Sequence, residues 1–292
     1  MTGVLRQRNA GGRESAPDRA VMDALDDNHF REAAGEPSAV APVARSSAPP
    51  SYLVDHYWWA YVHPRAVRLF ERQWLVNAIL WGNYRRLRDA ALAALGPLDG
   101  RTLQVACAYG DFTNVLAART TESGGRLDVI DALAIQIDNL RAKLPSAAPV
   151  RTHVMDAAAM EFPDARFDRA VLFFLLHEQP ERVRRRTLAE ALRVVKPGGS
   201  VVAVDYARPQ RSSPWRWLMR PVLALLEPFA LDLWRAEIAS FAPEDARVVT
   251  GQRFFGGLYQ LVVLTRPASA TSLSGSAVNS SETVRRTGAI SA

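Results

Sequence analysis

The sequence predicts an α/β fold with a mostly parallel, seven-stranded sheet, and three observations support this prediction. Five short β-rich runs alternate with helical patterns between residues 97 and 207, as in proteins with parallel sheets. Two more β-rich runs near the end of the chain are joined by Gly256-Gly257, which is typical of an antiparallel hairpin. An apolar block at residues 207–242 interrupts this order, so we expect a helical insertion before the last two strands.

The residues before the first strand predict a tail and a helical cap. Residues 1–50 lack a sustained apolar period, so we expect disorder there, as in the Ser/Thr-rich residues 268–292. Residues 51–96 carry apolar side chains at spacings of three and four, which predicts a helical cap. The cap either packs on a core or walls an apolar pocket with the aromatic side chains Tyr57, Trp58, Trp59, Tyr61 and Trp74.

Residues 97–267 make up the predicted α/β domain. The first five strands are TLQVAC, RLDVIDA, VRTHVM, DRAVLFFLL and SVVAVDY, and the terminal hairpin consists of ARVVTGQRFF and LYQLVVLTR. Helices between the strands are predicted at Phe112–Arg119, Ile135–Lys143 and Arg182–Val195. Parallel strands need such crossover connections, so the helices and the strand order predict the same architecture.

The insertion combines an apolar sequence with basic residues. Its first half contains Arg208, Arg211, Arg216 and Arg220 beside Trp215, Trp217 and Leu218. This composition suits a helix that lies on a membrane surface. The alternative is a buried helical insertion whose arginines are solvated.

Composition restricts the cellular context. The 292-residue chain has a formal net charge of +6 and a single cysteine, Cys107, so an intrachain disulfide is excluded and a reducing cytosol fits. The sequence does not open on a basic stretch with an apolar core, and no run approaches the ~18 apolar residues of a membrane-spanning helix. We therefore expect a cytoplasmic protein whose charge permits contact with anionic lipid or nucleic acid.

Carboxylates follow strand after strand of the predicted sheet. Parallel sheets bind ligands at the carboxyl ends of their strands, so these side chains should face one crevice. Asp131 ends the second strand about twenty residues beyond the turn at Gly110, as expected of a carboxylate that binds ribose hydroxyls. Asp156 follows the third strand and is predicted to contact an adenine amine. The alternative for Asp131 is a helix N-cap, and for Asp156 a cap or a turn.

The fourth strand leads into His177 and Glu178, and the fifth ends at Asp205-Tyr206. His177 is a candidate general base because its unperturbed pKa lies near neutrality. The alternative is that His177 and Glu178 begin a helix and hydrogen-bond to the backbone.

Several motifs carry a family resemblance. ALRVVKPGGSVVAVDY, FDRAVLFFLLHEQP and Asp131 together resemble the class I S-adenosylmethionine-dependent methyltransferases, over roughly residues 87–266. The resemblance implies a Rossmann-like fold and S-adenosylmethionine as the cofactor. The positions assigned to the cofactor are Ala106, Gly110, Asp131, Ala132, Asp156, Ala157 and Phe174.

A narrower resemblance covers residues 52–266. The chain contains WWAYVHPRAVRLFERQWLVNAILWGNYRRLRDAAL, LQVACAYGDFT, FFLLHEQP and RPVLALLEPFALDLWRAEI. Together these segments resemble the RquA family of rhodoquinone biosynthesis proteins. The resemblance implies conversion of ubiquinone to rhodoquinone, in which an amino group replaces a ring methoxy group. It further implies S-adenosylmethionine as the amino donor and a requirement for Mn2+.

The first turn departs from the methyltransferase pattern. That family usually carries acid-x-Gly-x-Gly-x-Gly there, whereas this chain has Gln104 or Val105 in place of the acid and Gly110 as its clear glycine. Because this loop holds the methionine end of the cofactor, we hypothesise that Tyr109 and Asp111 re-aim that end or bind a metal beside it. The alternative is drift in a loop that still binds the cofactor in the usual pose.

These considerations define the expected site and function. The predicted catalytic residues are Tyr109, Asp111 and His177, and the predicted metal ligands are Asp111 and Glu178. The leading function is amination of ubiquinone by an enzyme peripheral to the inner face of the membrane, where a polyprenyl quinone resides. The alternatives are methylation of a quinone or another lipophilic small molecule, and a non-catalytic scaffold. Nucleic acid is not an expected partner, because no Asn-Pro-Pro-Tyr-type motif and no basic stripe are present.

Overall fold

The computed structural model describes residues 50–53, 69–145, 148–227 and 229–267. The predicted tails, apart from residue 50, lie outside the described residues, as do Tyr57, Trp58, Trp59 and Tyr61. The domain boundaries assigned from the sequence therefore stay predictions.

Seven strands form one mixed sheet in the order β3-β2-β1-β4-β5-β7-β6. Strands β1 to β5 run parallel, and β7 pairs antiparallel with both β5 and β6. The bounds are β1 Arg101–Val105, β2 Arg126–Asp131, β3 Val150–Val154, β4 Phe167–Phe173, β5 Val195–Tyr206, β6 Arg247–Phe254 and β7 Tyr259–Thr265. The predicted parallel sheet with its antiparallel terminal hairpin is confirmed.

The helices of the described residues alternate with the strands as predicted. Their bounds are α1 Gln73–Ile79, α2 Tyr84–Ala94, α3 Phe112–Glu122, α4 Ala134–Lys143, α5 Glu181–Val194, α6 Trp215–Leu226 and α7 Asp232–Arg235, with 3₁₀ turns at Leu176–Glu178, Ile238–Phe241 and Phe255–Gly257. The crossover helices α3, α4 and α5 each begin within one residue of the predicted start. The strands they connect are largely buried and apolar because helices cover both faces of a parallel sheet.

The predicted cap contains two helices with different positions. The buried residues of α2 are Tyr84, Leu87, Ala91 and Leu92, which recur at helical spacing. This face packs against β5 and β7, so α2 belongs to the layer of helices on the sheet. Helix α1 has no buried residue and lies beside the site described below.

The Lys-Pro-Gly-Gly segment forms a bulge within β5 instead of the predicted turn before the strand. Phe167 of β4 pairs with Val195, but Arg169, two residues later, pairs with Ser200. The residues between them leave the ladder and return, helped by the positive φ of +80° at Gly198. Gly199 packs so closely against the Val195 side chain that a Cβ would collide with it.

The insertion lies between β5 and β6 and contains α6 and α7. Met219 and Leu223, one turn apart on α6, are buried, whereas Trp217, Leu218 and Leu225 on the other side are exposed. Within the described residues, the helices are too short and too polar to cross a bilayer.

Candidate active site

A pocket opens at the carboxyl edge of the sheet, where residues after β1 to β5 meet. Strand order reverses between β1 and β4, which is where sheets of this type bind ligands. The predicted site residues that line the pocket are Ala106, Tyr109, Asp131, Ala132, Asp156, Ala157, Phe174, His177 and Glu178. Gly110 and Asp111 do not line it.

Asp131 ties the end of β2 to the loop after β1. Its Oδ2 accepts the backbone N–H of Cys107 at 2.9 Å, and its Oδ1 accepts that of Leu133 at 2.9 Å. Burial raises the pKa of the carboxyl to about 6, although these hydrogen bonds oppose the rise. The N-cap of α4 is Leu133, so the alternative role of helix cap does not apply to Asp131.

Asp156 combines a turn with a place in the pocket wall. Its Oδ1 accepts the backbone N–H of Ala158 at 2.8 Å, which fixes the loop after β3. The turn role weighed from the sequence is therefore present, and the side chain still borders the pocket. Contact with adenine stays a prediction.

Gly110 is required by a buried tyrosine. It has a φ of +82°, and a Cβ there would lie 2.7 Å from the hydroxyl oxygen of Tyr84. The Tyr84 hydroxyl accepts the N–H of Phe112 at 2.9 Å and donates to the carbonyl of Tyr109 at 3.3 Å. This arrangement explains the glycine of the turn without a ligand, so the cofactor role of Gly110 stays a prediction.

Asp111 faces α1 and α2 instead of the pocket. Its Oδ2 lies 2.6 Å from Nη1 of Arg88 and accepts a hydrogen bond from Gln73 at 3.0 Å. Burial disfavours the charged form, but the hydrogen bond and the charge of Arg88 outweigh it and lower the pKa of Asp111. A carboxylate with these partners serves to fix the turn.

Tyr109 points its ring into the pocket wall. Its hydroxyl accepts a hydrogen bond from Nε2 of Gln136 at 2.9 Å, and its ring stacks on Phe70 at a centroid distance of 5.8 Å. Burial raises the pKa of the phenol far above its ordinary value. At neutral pH Tyr109 is therefore a neutral hydrogen-bonding group, in a position to contact a ligand.

His177 is buried beside three carboxylates. Its Nδ1 lies 3.0 Å from Oδ1 of Asp205, and its Nε2 lies 3.8 Å from Glu178 and 3.9 Å from Glu227. Burial alone would lower the pKa of His177, but the charge of Asp205 and its hydrogen bond, with Glu227 and Glu178, raise it to about 9. An imidazolium cannot accept a proton, so this geometry favours hydrogen-bond donation over the general-base role predicted from the sequence.

Sequence reasoning missed Glu227 as a pocket residue, and it named Tyr206 as a strand end without assigning it a role. Glu227 follows the last residue of α6, so the insertion contributes a carboxylate to the pocket. The available signal was an acid within the apolar run VLALLEPFAL. Tyr206 ends β5 and packs edge-on against the His177 ring at 5.1 Å.

One side of the pocket is apolar. The α1 residues Val76 and Ile79 line it together with Leu80 and Phe70. Trp74, predicted as a possible wall residue, is 63% exposed and does not line the pocket. An apolar wall next to buried polar groups suits a ligand with both kinds of surface.

Comparison with known proteins identifies a family model and several enzymes to which this chain is similar. Residues 102–199 match a family model described as a methyltransferase domain. This part of the chain is therefore similar to a methyltransferase domain. A demethylmenaquinone methyltransferase of Bacillus licheniformis is 27% identical over 209 residues, which cover 71% of this chain and 87% of the relative. A 2-methyl-6-phytyl-1,4-hydroquinone methyltransferase of Synechocystis is 32% identical over 217 residues, which cover 68% and 62%.

A solved structure supports the fold. The PH0226 protein of Pyrococcus horikoshii matches 75% of this chain and all of its own length, with a TM-score of 0.50 at 15% sequence identity. The described residues thus have the predicted Rossmann-like fold.

The first loop departs from the pattern that is usual in methyltransferases. Gln104 sits at the position of the usual acid, and its Nε2 donates to the carbonyl of Ala106 at 3.0 Å and to the hydroxyl of Thr113 at 2.9 Å. Ala106 and Ala108 take the positions of the first two glycines. Ala106 nevertheless has a φ of +71°, in the region that favours glycine. This backbone conformation is strained for alanine, and Ala106 lies in the pocket wall.

The predicted metal ligands do not form a metal site. Asp111 is paired with Arg88, whereas Glu178 lies in the pocket. Across the described ranges, no group of three His, Cys, Asp or Glu side chains is arranged to hold a metal ion. The residues present therefore do not fit the Mn2+ that the resemblance implies, and we derive no step through a metal.

Proposed function

We propose that this chain is an S-adenosylmethionine-dependent enzyme that acts on the ring of an isoprenoid quinone. The observation that carries the proposal is that one pocket has two kinds of wall. Asp131 and Asp156 line one part of it, and the apolar residues Val76, Ile79 and Leu80 line another. Two relatives act on quinone rings with isoprenoid tails according to their names, a demethylmenaquinone and a methyl-phytyl-hydroquinone methyltransferase. A cofactor carboxylate site joined to an apolar wall accommodates both reactants.

We further propose that the transferred group is an amino group, which converts ubiquinone to rhodoquinone. The cofactor's α-amine would form a bond to a ring carbon, the bond from that carbon to the methoxy oxygen would break, and methanol would leave. Hydrolysis of the bond between this nitrogen and the cofactor's α-carbon, in which water would supply a hydroxyl group to the carbon and a proton to the nitrogen, would complete the transfer. Two observations support this proposal. The chain resembles the RquA family, and in the loop expected at the methionine end of the cofactor Ala106 and Ala108 stand where glycines are usual, with Tyr109 beside them.

Roles follow for the residues in the pocket. Asp131 binds the ribose hydroxyls and Asp156 lies near the adenine. His177, held as an imidazolium by Asp205, donates a hydrogen bond to a quinone carbonyl and so makes the ring more electrophilic. Tyr109 orients the methionine end of the cofactor.

Methylation is the second candidate, and the relatives named above favour it. Purified protein is incubated with ubiquinone and S-adenosylmethionine labelled at the α-nitrogen, with and without Mn2+, and the products are analysed by mass spectrometry. Methoxy-to-amino exchange gives a lighter quinone that carries the label. Every ring carbon of ubiquinone is substituted, so methylation is assayed in parallel with demethylmenaquinone, where it gives a heavier product without the label. A labelled product that forms equally well in the presence of a chelator would argue against the manganese requirement.

Variants test the role of the loop. Tyr109→Phe and Asp111→Asn should each reduce aminated product, with Tyr259→Phe and Asp168→Asn as matched controls outside the pocket. If both loop variants form aminated quinone at the normal rate, the loop hypothesis is wrong. Because Asp111 does not line the pocket, Asp111→Asn would act by loosening the turn that positions Tyr109.

We also propose that the enzyme works in the cytoplasm, on the inner face of the membrane. Its acceptor is a bilayer lipid, so the pocket must receive the quinone ring from the membrane surface. Fractionation of cells between membrane and soluble protein, with a high-salt wash, tests this placement.

A further inference from the structure

Helix α6 has an exposed apolar side, which we call its outer face. It consists of Trp217, Leu218, Val222 and Leu225. Leu225 is 82% exposed and Trp217 is 72% exposed, whereas Met219 and Leu223 on the opposite side of the helix are buried. A surface helix normally presents polar residues to water, so an apolar outer face indicates an apolar partner.

A basic cleft lies beside the outer face. It has a volume of about 330 Å3 and is lined by the side chains of Arg208, Arg216, Arg220 and Arg235, together with Trp217 and Trp234. We call it the arginine cleft. Its arginines belong to the insertion, so the cleft and the outer face form one surface element.

The charges of the arginine cleft are largely uncompensated. Arg235 lies 3.1 Å from Asp232, but no carboxylate of the described residues forms a salt bridge with Arg208, Arg216 or Arg220. The indole N–H of Trp234, which lines the same cleft, is buried and has no hydrogen-bond partner among the described residues. Guanidinium groups and an unused N–H donor match the acceptor oxygens of a phosphate.

The same surface adjoins the pocket. Trp215 of α6 packs against Trp81 at a centroid distance of 4.8 Å. Trp81 is 40% exposed, and nearby Ile79, which lines the pocket, is 42% exposed. At its other end, α6 leads into Glu227 in the pocket wall. Exposed apolar side chains therefore run from α6 to the apolar side of the pocket.

We propose that the outer face of α6 and the arginine cleft dock this chain on an anionic lipid bilayer. The outer face enters the acyl region, and the arginines bind headgroup phosphates. An apolar face flanked by basic side chains is complementary to an anionic bilayer, which offers both surfaces at once. The inference rests on the proposed function, because docking at this surface places the pocket beside the membrane that contains the quinone.

Vesicle sedimentation tests the docking surface in the full chain. Binding to phosphatidylcholine vesicles that contain phosphatidylglycerol should exceed binding to pure phosphatidylcholine, and salt should weaken it. Arg216→Gln/Arg220→Gln should reduce the affinity roughly 30-fold, because each basic residue near an anionic surface contributes about 1 kcal/mol. The matched control is Arg126→Gln/Arg151→Gln, which removes the same charge at the opposite edge of the sheet.

A second pair of variants tests the apolar component. Leu218→Ser/Leu225→Ser should weaken vesicle binding several-fold, whereas Val248→Ser/Val249→Ser, which alters exposed apolar residues of β6, should not. Circular dichroism of each variant confirms that it is folded. Equal loss in either control pair, or equal binding of neutral and anionic vesicles, overturns the proposal. So does binding of inorganic phosphate or a protein partner at the cleft without binding of vesicles.

Activity measurements separate docking from the proposed function. With a short-tailed quinone in solution, the α6 variants should turn over like the unmodified chain, and with ubiquinone in anionic vesicles they should lose most of their activity. If the unmodified chain lacks quinone activity in both assays, the proposed function fails while vesicle binding still decides the docking surface. Equal turnover of vesicle quinone by variants and unmodified chain would contradict docking at α6.

Discussion

The two halves of the pocket hold their carboxylates in different ways. In the half that we propose binds the cofactor, hereafter the cofactor half, Asp131 and Asp156 accept hydrogen bonds from backbone N–H groups of the adjoining loops. In the half that we propose binds the acceptor, hereafter the acceptor half, Asp205 and Glu227 surround the buried imidazole of His177. The first half uses uncharged backbone donors 2 to 24 positions away, and the second uses a charged group and residues up to 50 positions apart.

This difference assigns different chemistry to the halves. Backbone N–H groups fix the direction of a carboxylate and leave lone pairs for the hydroxyl and amine groups of a ligand. A buried imidazolium stabilised by carboxylates instead presents a proton to a carbonyl oxygen that gains negative charge. The cofactor half is therefore built for recognition, and the acceptor half depends on its protonation state.

Asp131→Asn gives the largest expected effect and tests the cofactor half. An amide cannot accept from both Cys107 and Leu133 while it also binds ribose, because its NH2 group can only donate. We expect S-adenosylmethionine affinity to fall roughly 30- to 100-fold, about 2–3 kcal/mol, in calorimetry. Asp128→Asn is the matched control, since Asp128 is buried on the same strand but bonds to His153 outside the pocket. Equal weakening in both variants would remove Asp131 from the ribose site.

A pH dependence of stability tests the acceptor half. The folded-state pKa of His177 is raised to about 9, above an unfolded value near 6.5. Its stabilisation is therefore complete below the unfolded pKa and is lost as pH rises through about 9. We expect the free energy of unfolding to fall by on the order of 2 kcal/mol between about pH 7 and about pH 9.5, measured in urea. Asp131, with a pKa of about 6, has finished ionising below this window.

Two variants separate the carboxylates that stabilise the imidazolium. Asp205→Asn should abolish most of the pH dependence, but it also removes the acceptor for the N–H groups of Leu176, His177 and Tyr206. Glu227→Gln leaves those hydrogen bonds intact and should remove a smaller part. If neither variant flattens the curve, His177 is not the titrating group and the contrast between the halves fails.

The fold was largely predictable from local patterns. Segments of the parallel strands such as Ala170–Phe173 are apolar throughout, and their helices have clear periods, so both elements can be identified without tertiary information. The Lys-Pro-Gly-Gly bulge was misplaced because a turn and a bulge share the same glycine chemistry, and only pairing with β4 distinguishes them. The packing of α2 on the sheet could not be predicted either. An amphipathic pattern identifies the buried face of a helix but not the element that covers it.

The site was predictable where its residues end strands. Asp131, Asp156 and His177 occupy such positions and all line the pocket. Asp111 follows β1 in the same way, yet Arg88, 23 positions earlier, turns it away from the pocket. Glu227 comes from the insertion, so its arrival beside His177 depends on long-range packing that no local pattern records.

Ala106→Gly has the smallest expected effect and tests whether the cofactor half stores backbone strain. Alanine at a φ of +71° is strained by about 1–2 kcal/mol, and glycine relieves this strain. Part of the gain is offset because glycine is more flexible than alanine in the unfolded chain. We expect a gain of about 0.5 kcal/mol in the free energy of unfolding. Ala108→Gly, in the same loop but without a positive φ, should instead lose about 0.5–1 kcal/mol. If both variants lose the same free energy of unfolding, the backbone at Ala106 is not strained. The alanines would then affect the pose of the cofactor through their side chains alone.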